Sequence, residues 1–174
     1  MTPFPHVTRC LSEWFHFPTE KIYCQVATVK DQQPHIRTMD LYDMTPEGNL
    51  ILFTRTTTRK WEDLQYCSNM SICILLLNHG QIVVEGQALL KTAVTDFEFT
   101  HFCWTKYLDR YWQDFYRSCA QGETDGIPDS VGIILLQPVF WDIIEIIPSD
   151  FLKSTRKHYL KQENAWLMKE MPSE

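Results

Sequence analysis

The chain has 174 residues, a length that suits one well-buried core rather than two domains. Its net charge of −6 argues against a general nucleic-acid-binding protein, because such proteins need a basic face to neutralise phosphates. Apolar residues make up 44% of the chain and aromatic residues 13%, a composition that excludes extensive disorder. We therefore expect a single domain over residues 1–174 that binds no nucleic acid.

The six cysteines are spaced too widely for a zinc knuckle or ribbon, and the histidines show no metal-ligand spacing. Cys24 and Cys73 lie inside apolar strand patterns, where an unpaired thiol behaves as a small hydrophobic group. The N-terminal residues lack the basic start and apolar stretch of a secretion signal, and no apolar run reaches the ~18 residues of a membrane span. These patterns predict a cytoplasmic protein with no metal site and no membrane segment.

The first half of the chain alternates short strand patterns with turn signals. A helix is expected over about residues 7–17, ended by Pro18. Strand patterns follow at residues 22–29, 35–42 and 50–54, with turns at 31–34 and 45–49. Thr58 is in position to cap a helix that begins at Arg59 and stops near Ser68. Short links between the strands indicate an antiparallel meander.

The second half contains longer apolar strands and an aromatic helical region. Strands are expected at residues 71–77 and 81–93, and Gly86 indicates a bulge or a close approach to another backbone. Residues 95–120 are helical and aromatic, which is typical of core or dimer contact, and 121–129 form a loop. Residues 131–147 predict two strands broken at Pro138, and residues 162–168 a last strand or the end of a helix.

Six or more strands with short links and a few helices predict an α+β fold, mainly β, with helices packed on a closed or nearly closed antiparallel barrel. No βαβ alternation, GxGxxG or GxxxxGK[ST] pattern occurs, which disfavours a dinucleotide-binding or P-loop fold.

Three cations flank two short turns of this acidic chain. Arg37 lies in an apolar strand pattern, and Arg59 and Lys60 begin the predicted helix. Each alone is typical of a surface charge. Cations at a helix N-terminus oppose the macrodipole, however, at a cost of a few tenths of a kcal/mol that a bound anion would remove. With the hydroxyls of residues 56–58 beside them, the three cations predict a phosphate site.

The order of these pieces resembles the pyridoxamine 5'-phosphate oxidase family of FMN-binding split barrels. That family shows an Arg-containing strand, then an aromatic-Thr pair, then a Ser-Arg-Lys turn that opens a helix, and later Gln-Val ahead of a glycine. The matching residues here are Arg37, Thr38, Met39, Asp40 and Leu41, then Phe53 and Thr54, then Thr58, Arg59 and Lys60, and finally Gln81 ahead of Gly86. The resemblance covers residues 22–91, and a weaker similarity to the family's C-terminal strand lies at 163–166.

The resemblance implies a Greek-key-like split β-barrel that forms a homodimer with FMN at the subunit interface. Arg37, Arg59 and Lys60 would hold the FMN phosphate, assisted by Thr54 and Thr58. Residues 38–41 would line the ring and ribityl chain, together with Phe53, and Gln81 would reach the ring from the other subunit. The implied activity is that of an FMN-dependent oxidoreductase in which the isoalloxazine carries the hydride chemistry, and no catalytic side chain is identified.

The family's substrate-binding residues are missing or altered. Tyr42 stands where the true oxidases carry a Lys, residues 105–113 do not match their Arg-Pro-x-x-Ser-Gln segment, and Lys153 and Thr155 replace an Arg and a His. The substrate is therefore unknown, and we expect pyridoxamine 5'-phosphate to be oxidised slowly or not at all. Two alternatives stay open: a flavin-binding protein without turnover, and a split-barrel protein that binds haem or a deazaflavin.

Overall fold

The structure, a computed structural model, describes residues 2–120 and 126–172. Its helices are α1 (Phe4–Phe15), α2 (Arg59–Tyr66), α3 (Phe97–Tyr107) and α4 (Arg110–Ser118), with a short 3-10 turn at Phe151–Lys153. Its strands are β1 (Ile22–Lys30), β2 (Gln33–Met44), β3 (Leu50–Arg55), β4 (Asn69–Leu76), β5 (Gly80–Lys91), β6 (Val131–Glu145), β7 (Thr155–Gln162) and β8 (Ala165–Met171).

The eight strands form one antiparallel sheet in the order β3-β2-β1-β4-β5-β6-β7-β8. A further pairing of β3 with β6 closes the first six strands of this order into a barrel, and β7 and β8 extend it as a hairpin. β4 returns beside β1 after the β1-β2-β3 meander, which is the Greek-key arrangement. The predicted α+β split barrel is thus confirmed.

Two apolar clusters lie on opposite sides of the barrel wall. The inner cluster fills the barrel and includes Leu41 from β2 and Trp141 from β6. The outer cluster packs α3 and α4 against the outside of the wall, with Trp104 and Tyr116 at its centre. β3 serves both clusters, because its successive side chains alternate between the two faces. The predicted aromatic helical region is therefore mainly a second packing layer.

The prediction of two strands broken at Pro138 is wrong, since β6 runs unbroken from Val131 to Glu145. Gly86 pairs with Pro138 and Glu85 with Phe140, so Val139 bulges out of the β5 ladder. On the other side of β6, pairing with β3 ends at Leu136 and pairing with β7 starts at Phe140. Pro138 therefore lies where the missing N–H interrupts no ladder on that side.

The same bulge explains why residue 86 is a glycine. A Cβ added to Gly86 would lie 2.1 Å from the Gln137 carbonyl oxygen. Such a separation is too short for any side chain, so a glycine is needed opposite the bulge. The prediction of a bulge or close approach at Gly86 is confirmed.

Other expected elements differ at their ends. α1 begins at Phe4, earlier than expected, because Pro5 is tolerated in a first helical turn. The aromatic region is two helices, and the second is capped by the Asp109 side chain, which accepts a hydrogen bond from the Trp112 N–H. The last segment is a strand, β8. The first part of the predicted loop over 121–129 lies outside the described residues.

None of the helices within residues 2–120 and 126–172 is long and apolar enough to cross a membrane. All six cysteines fall in these ranges and none forms a disulfide. The cytoplasmic location stays a prediction.

Candidate functional site

The three cations singled out in the sequence line one cavity. Arg37 projects from β2, and Arg59 and Lys60 from the first turn of α2. The cavity has a volume of about 460 Å³, and its lining residues are Pro34, His35, Ile36, Arg37, Arg59 and Lys60. Residues far apart in sequence are thus brought to one opening by the packing of α2 against the barrel.

The strand period places Arg37 over the barrel end. His35, Arg37 and Met39 alternate with outward residues along β2 and so point to one face. The Arg37 Nη1 donates to the Thr28 hydroxyl at 2.7 Å and to the Val26 carbonyl at 3.4 Å. These contacts with β1 hold the guanidinium over the rim of the barrel.

Asp63 of α2 lies buried beneath two residues that line the cationic cavity, His35 and Arg37. Its side chain is fully buried, and its Oδ2 accepts hydrogen bonds from Thr28 at 2.6 Å, from His35 at 2.9 Å and from Arg37 at 3.3 Å. Burial raises the pKa of this carboxyl, but the hydrogen bonds from Thr28 and His35 and the charge of Arg37 together hold it below its ordinary value. Asp63 is therefore a buried carboxylate that faces the cations.

Lys60 connects the cationic cavity to a pair of threonine hydroxyls. The Lys60 Nζ donates to the Thr54 hydroxyl at 3.3 Å, and the Thr54 and Thr58 hydroxyls lie 3.0 Å apart. Burial lowers the pKa of Lys60, and the positive charges of Arg37 and Arg55 lower it further. An anion bound among these groups would offset both effects.

The capping prediction for Thr58 is only half right. Thr58 does stand at the N-cap position, and α2 begins at Arg59 as expected. Its hydroxyl, however, donates to the Arg55 carbonyl at 2.8 Å and makes no capping hydrogen bond to α2. The Thr58 hydroxyl is therefore engaged within the loop before the helix, and the first turn of α2 lacks a side-chain cap.

A second cavity of about 290 Å³ adjoins the first and shares Lys60 with it. Four elements form its lining: from β2 Thr38, Met39, Asp40 and Tyr42, from β3 and the following turn Phe53, Thr54, Arg55 and Thr58, from α2 Lys60, and from α4 Trp112, Phe115 and Tyr116. The Lys21 ammonium lies 4.9 Å from the Tyr42 ring centre and 5.0 Å from that of Trp112. The barrel side of this cavity therefore combines polar groups with the Tyr42 and Phe53 rings, and the α4 side is aromatic.

Most of the predicted site residues line one cavity or the other. These are Arg37, Thr38, Met39, Asp40, Phe53, Thr54, Thr58, Arg59 and Lys60. The prediction that the Leu41 side chain lines the site is not met, because this side chain is fully buried in the inner cluster. Gln81 begins β5, and within the described residues of one subunit it lines neither cavity.

Sequence reasoning missed the groups that surround the cations. His35 stands two residues before Arg37 on the same strand face, and Asp63 stands four residues after Arg59 on the same helix. Those spacings were visible in the sequence, and each places its residue beside a cation. Trp112 and its neighbours on α4 gave no such signal, since an aromatic helix face is more often core.

The residues present fit a phosphorylated cofactor of the size of FMN. The two cavities are each within the size range of ligand sites or just below it, and together they offer cations at one end and hydroxyls and aromatic rings at the other. The pKa of Lys60 is lowered first by burial and then by the charges of Arg37 and Arg55, and a bound anion would oppose these effects.

No protein-family model matches the chain, and no curated protein matches it in sequence. Solved structures do match. A pyridoxamine 5'-phosphate oxidase-related, FMN-binding protein from Nostoc punctiforme has a TM-score of 0.77 at 17% identity, over 98% of this chain and 98% of that one. PhzG from Burkholderia lata, solved with tetrahydrophenazine-1-carboxylic acid, has a TM-score of 0.77 at 16% identity, over 98% of this chain and 92% of that one.

A more distant match is General Stress Protein 26 from Bacillus anthracis, with a TM-score of 0.53 at 16% identity over 79% of this chain and 93% of that one. At these identities the likeness is one of fold. The protein therefore has the split-barrel fold of the pyridoxamine 5'-phosphate oxidase-related proteins that the sequence resembles.

Proposed function

We propose that the protein is an FMN-binding flavoprotein, one domain over its 174 residues, that acts as an FMN-dependent oxidoreductase. One observation carries the proposal. Arg37, Arg59 and Lys60 line a single cavity, and through Lys60 this cavity adjoins a second one with hydroxyls and aromatic walls. A phosphate at the cationic end with a ring system at the other end matches the chemistry of both cavities.

In this proposal Arg37, Arg59 and Lys60 hold the phosphate. A guanidinium has five N–H donors, and Arg37 makes three hydrogen bonds to protein atoms, so donors are left for an anion. Thr54 and Thr58 add hydroxyls. The main chain of residues 38–41 and the Phe53 side chain line the ribityl chain and ring. The bound flavin supplies the hydride chemistry, and the protein side chains bind and orient it.

We also propose a two-fold homodimer. Tyr23, Ile36 and Leu75 lie on the outer faces of β1, β2 and β4 and are 76%, 72% and 52% exposed. Large apolar residues clustered on one barrel face are typical of an interface. A partner packed there brings its own Gln81 to the flavin ring, as the resemblance implies. Light scattering should show a dimer, and Leu75→Glu should give a monomer that binds FMN more weakly.

The proposed substrate carries no phosphate. The cations of the α3–α4 region are already engaged: Lys106 with Asp43 at 3.0 Å, and Arg110 and Arg117 with Asp114 at 3.6 and 3.2 Å. The wall that α4 contributes is aromatic. A flat, largely apolar molecule suits this wall better than a phosphate ester, and the similar PhzG was solved with tetrahydrophenazine-1-carboxylic acid.

Titration of the purified protein with FMN, riboflavin and FAD tests the cofactor. We expect FMN to bind more tightly than riboflavin, which lacks the phosphate, and more tightly than FAD, which has no terminal phosphate dianion. Equal affinity for FMN and riboflavin would contradict a phosphate site at Arg37, Arg59 and Lys60. Reduction of the bound flavin by a nicotinamide cofactor or an amine, followed by reoxidation with oxygen, separates an oxidoreductase from a flavin carrier.

A further inference from the structure

His35 links the cations of the phosphate cavity to the buried carboxylate. Its Nδ1 lies 2.9 Å from Asp63 Oδ2, and its Nε2 lies 2.6 Å from Arg59 Nη2. The imidazole is 16% exposed, and it lines the cationic cavity itself. Nothing in the family resemblance assigns a role to this position, which lies just before the Arg-containing motif.

The partners of His35 fix its protonation state. Asp63 is ionised and can only accept, so the Nδ1 must carry a hydrogen and donate it. The Arg59 guanidinium can only donate, so the Nε2 must accept with its lone pair. His35 is therefore neutral in this arrangement, and Arg59 is held on an imidazole rather than aimed at the centre of the cavity.

We propose that His35, supported by Asp63, is a fourth member of the phosphate site and takes up one proton when a phosphate binds. This inference rests on the proposed function. An entering phosphate dianion competes for Arg59, which then leaves the His35 Nε2 and donates to the phosphate. The Nε2 lone pair would face an anion, so the Nε2 binds a proton from solvent and donates it to a phosphate oxygen. The imidazolium then lies between two anions, the phosphate and Asp63.

Charged groups face His35 from every element packed around it. The groups within the described residues are Arg59, Lys60, Glu62 and Asp63 from α2, Lys30 from the end of β1, Asp31 from the following turn, and Arg37 from β2. Glu62 is paired with Lys30, so their charges largely cancel. Asp63 opposes Arg37 in the same way. Arg59 and Lys60 are then the positive charges left in the cavity, and Arg59, which contacts the imidazole, moves onto the phosphate in the proposed step.

Isothermal titration of the full chain with FMN, at pH 6.5 to 8.5, tests the proposal. The FMN phosphate stays mostly dianionic in this range, since the second pKa of such phosphates is about 6. Histidine side chains ordinarily change charge between pH 5 and 8. We expect FMN affinity to fall by up to about tenfold per pH unit as pH rises, because one proton is taken up per ligand bound. Titrations in buffers of different ionisation enthalpy should report that proton directly.

His35→Gln provides the decisive comparison, because its amide can still accept from Arg59 but cannot titrate. The variant should bind FMN with the weaker, high-pH affinity of the natural protein at every pH, with no proton uptake in this range. His101→Gln, an exposed position on α3, is the matched control and should keep the natural slope. Riboflavin should show no slope with either protein.

The outcomes separate the two proposals. If FMN binds more tightly than riboflavin but the pH slope is the same in the natural protein and in His35→Gln, the role of His35 is wrong and the phosphate site stands. If FMN and riboflavin bind equally at every pH, the phosphate site itself is wrong. Circular dichroism of the variant excludes misfolding as the cause of a lost slope.

Discussion

Replacement of Lys60 by methionine removes one cation of the phosphate cavity and keeps most of the side-chain volume. A hydrogen bond to a charged group contributes about 1.5–3 kcal/mol, so FMN affinity should fall roughly 10- to 150-fold. Riboflavin affinity should change little, because the lost donor is aimed at the phosphate. In the free protein the pKa of Lys60 is lowered by burial and by Arg37 and Arg55, so the charged Lys60 is itself a source of repulsion. The free energy of unfolding should therefore stay the same or rise.

Fluorescence quenching of the flavin measures both affinities, and urea unfolding of the flavin-free protein measures stability. Lys161→Met, at an exposed position on β7, is the matched control and should match the natural protein in each assay. Natural FMN affinity in Lys60→Met would show that Lys60 is an ordinary surface charge. An equal loss of FMN and riboflavin affinity would show that its role is structural and not directed at the phosphate.

Three further predictions concern packing, pH and substrate. Gly132→Ala would place a Cβ 2.3 Å from the buried Trp61 ring, and urea unfolding should show a loss of about 1–3 kcal/mol; an unchanged midpoint would contradict this packing. Burial raises the pKa of Glu145, but hydrogen bonds from Arg9 and His6 hold it below its ordinary value. Ionised Glu145 therefore stabilises the fold fully above about pH 4.3, and this stabilisation is lost as pH falls through the folded-state pKa. The free energy of unfolding should then fall less steeply with acid in Glu145→Gln than in the natural protein. A steady-state assay of the FMN-loaded protein with pyridoxamine 5'-phosphate should give kcat/KM well below about 10⁴ M⁻¹s⁻¹, and a higher value would mean that other residues bind the substrate phosphate.

The clustering of the three cations was predictable because its signal is local. A cation inside an apolar strand pattern, or two cations at the start of a helix, conflicts with its own surroundings, and the structure places Arg37, Arg59 and Lys60 at one cavity. Their partners depend on tertiary packing. The contact between Asp63 and His35 exists because α2 packs across the end of β1 and β2, a geometry that no short sequence window contains.

Two errors came from rules that hold for isolated segments. A proline usually ends a strand, but Pro138 lies between two partners of β6, where the ladder on one side is already interrupted. A threonine before a helix usually caps it, but the Thr58 hydroxyl finds the Arg55 carbonyl in its own turn first. In both cases a neighbouring contact, invisible in the local pattern, decided the outcome.

The aromatic wall of the second cavity has a consequence for how this protein changes over evolution. β5 and β6 pair directly along most of their length, yet the chain between them makes a long excursion that contains α3 and α4. The strands and α2 alone supply the cationic cavity, whereas α4 supplies the rings opposite them. Changes in α3 and α4 that keep their apolar packing against β3 and β6 are therefore compatible with the same strand pairing. Under the proposed function, the barrel and α2 hold the cofactor while α4 faces the substrate, so changes on α4 should alter substrate specificity with little effect on cofactor affinity.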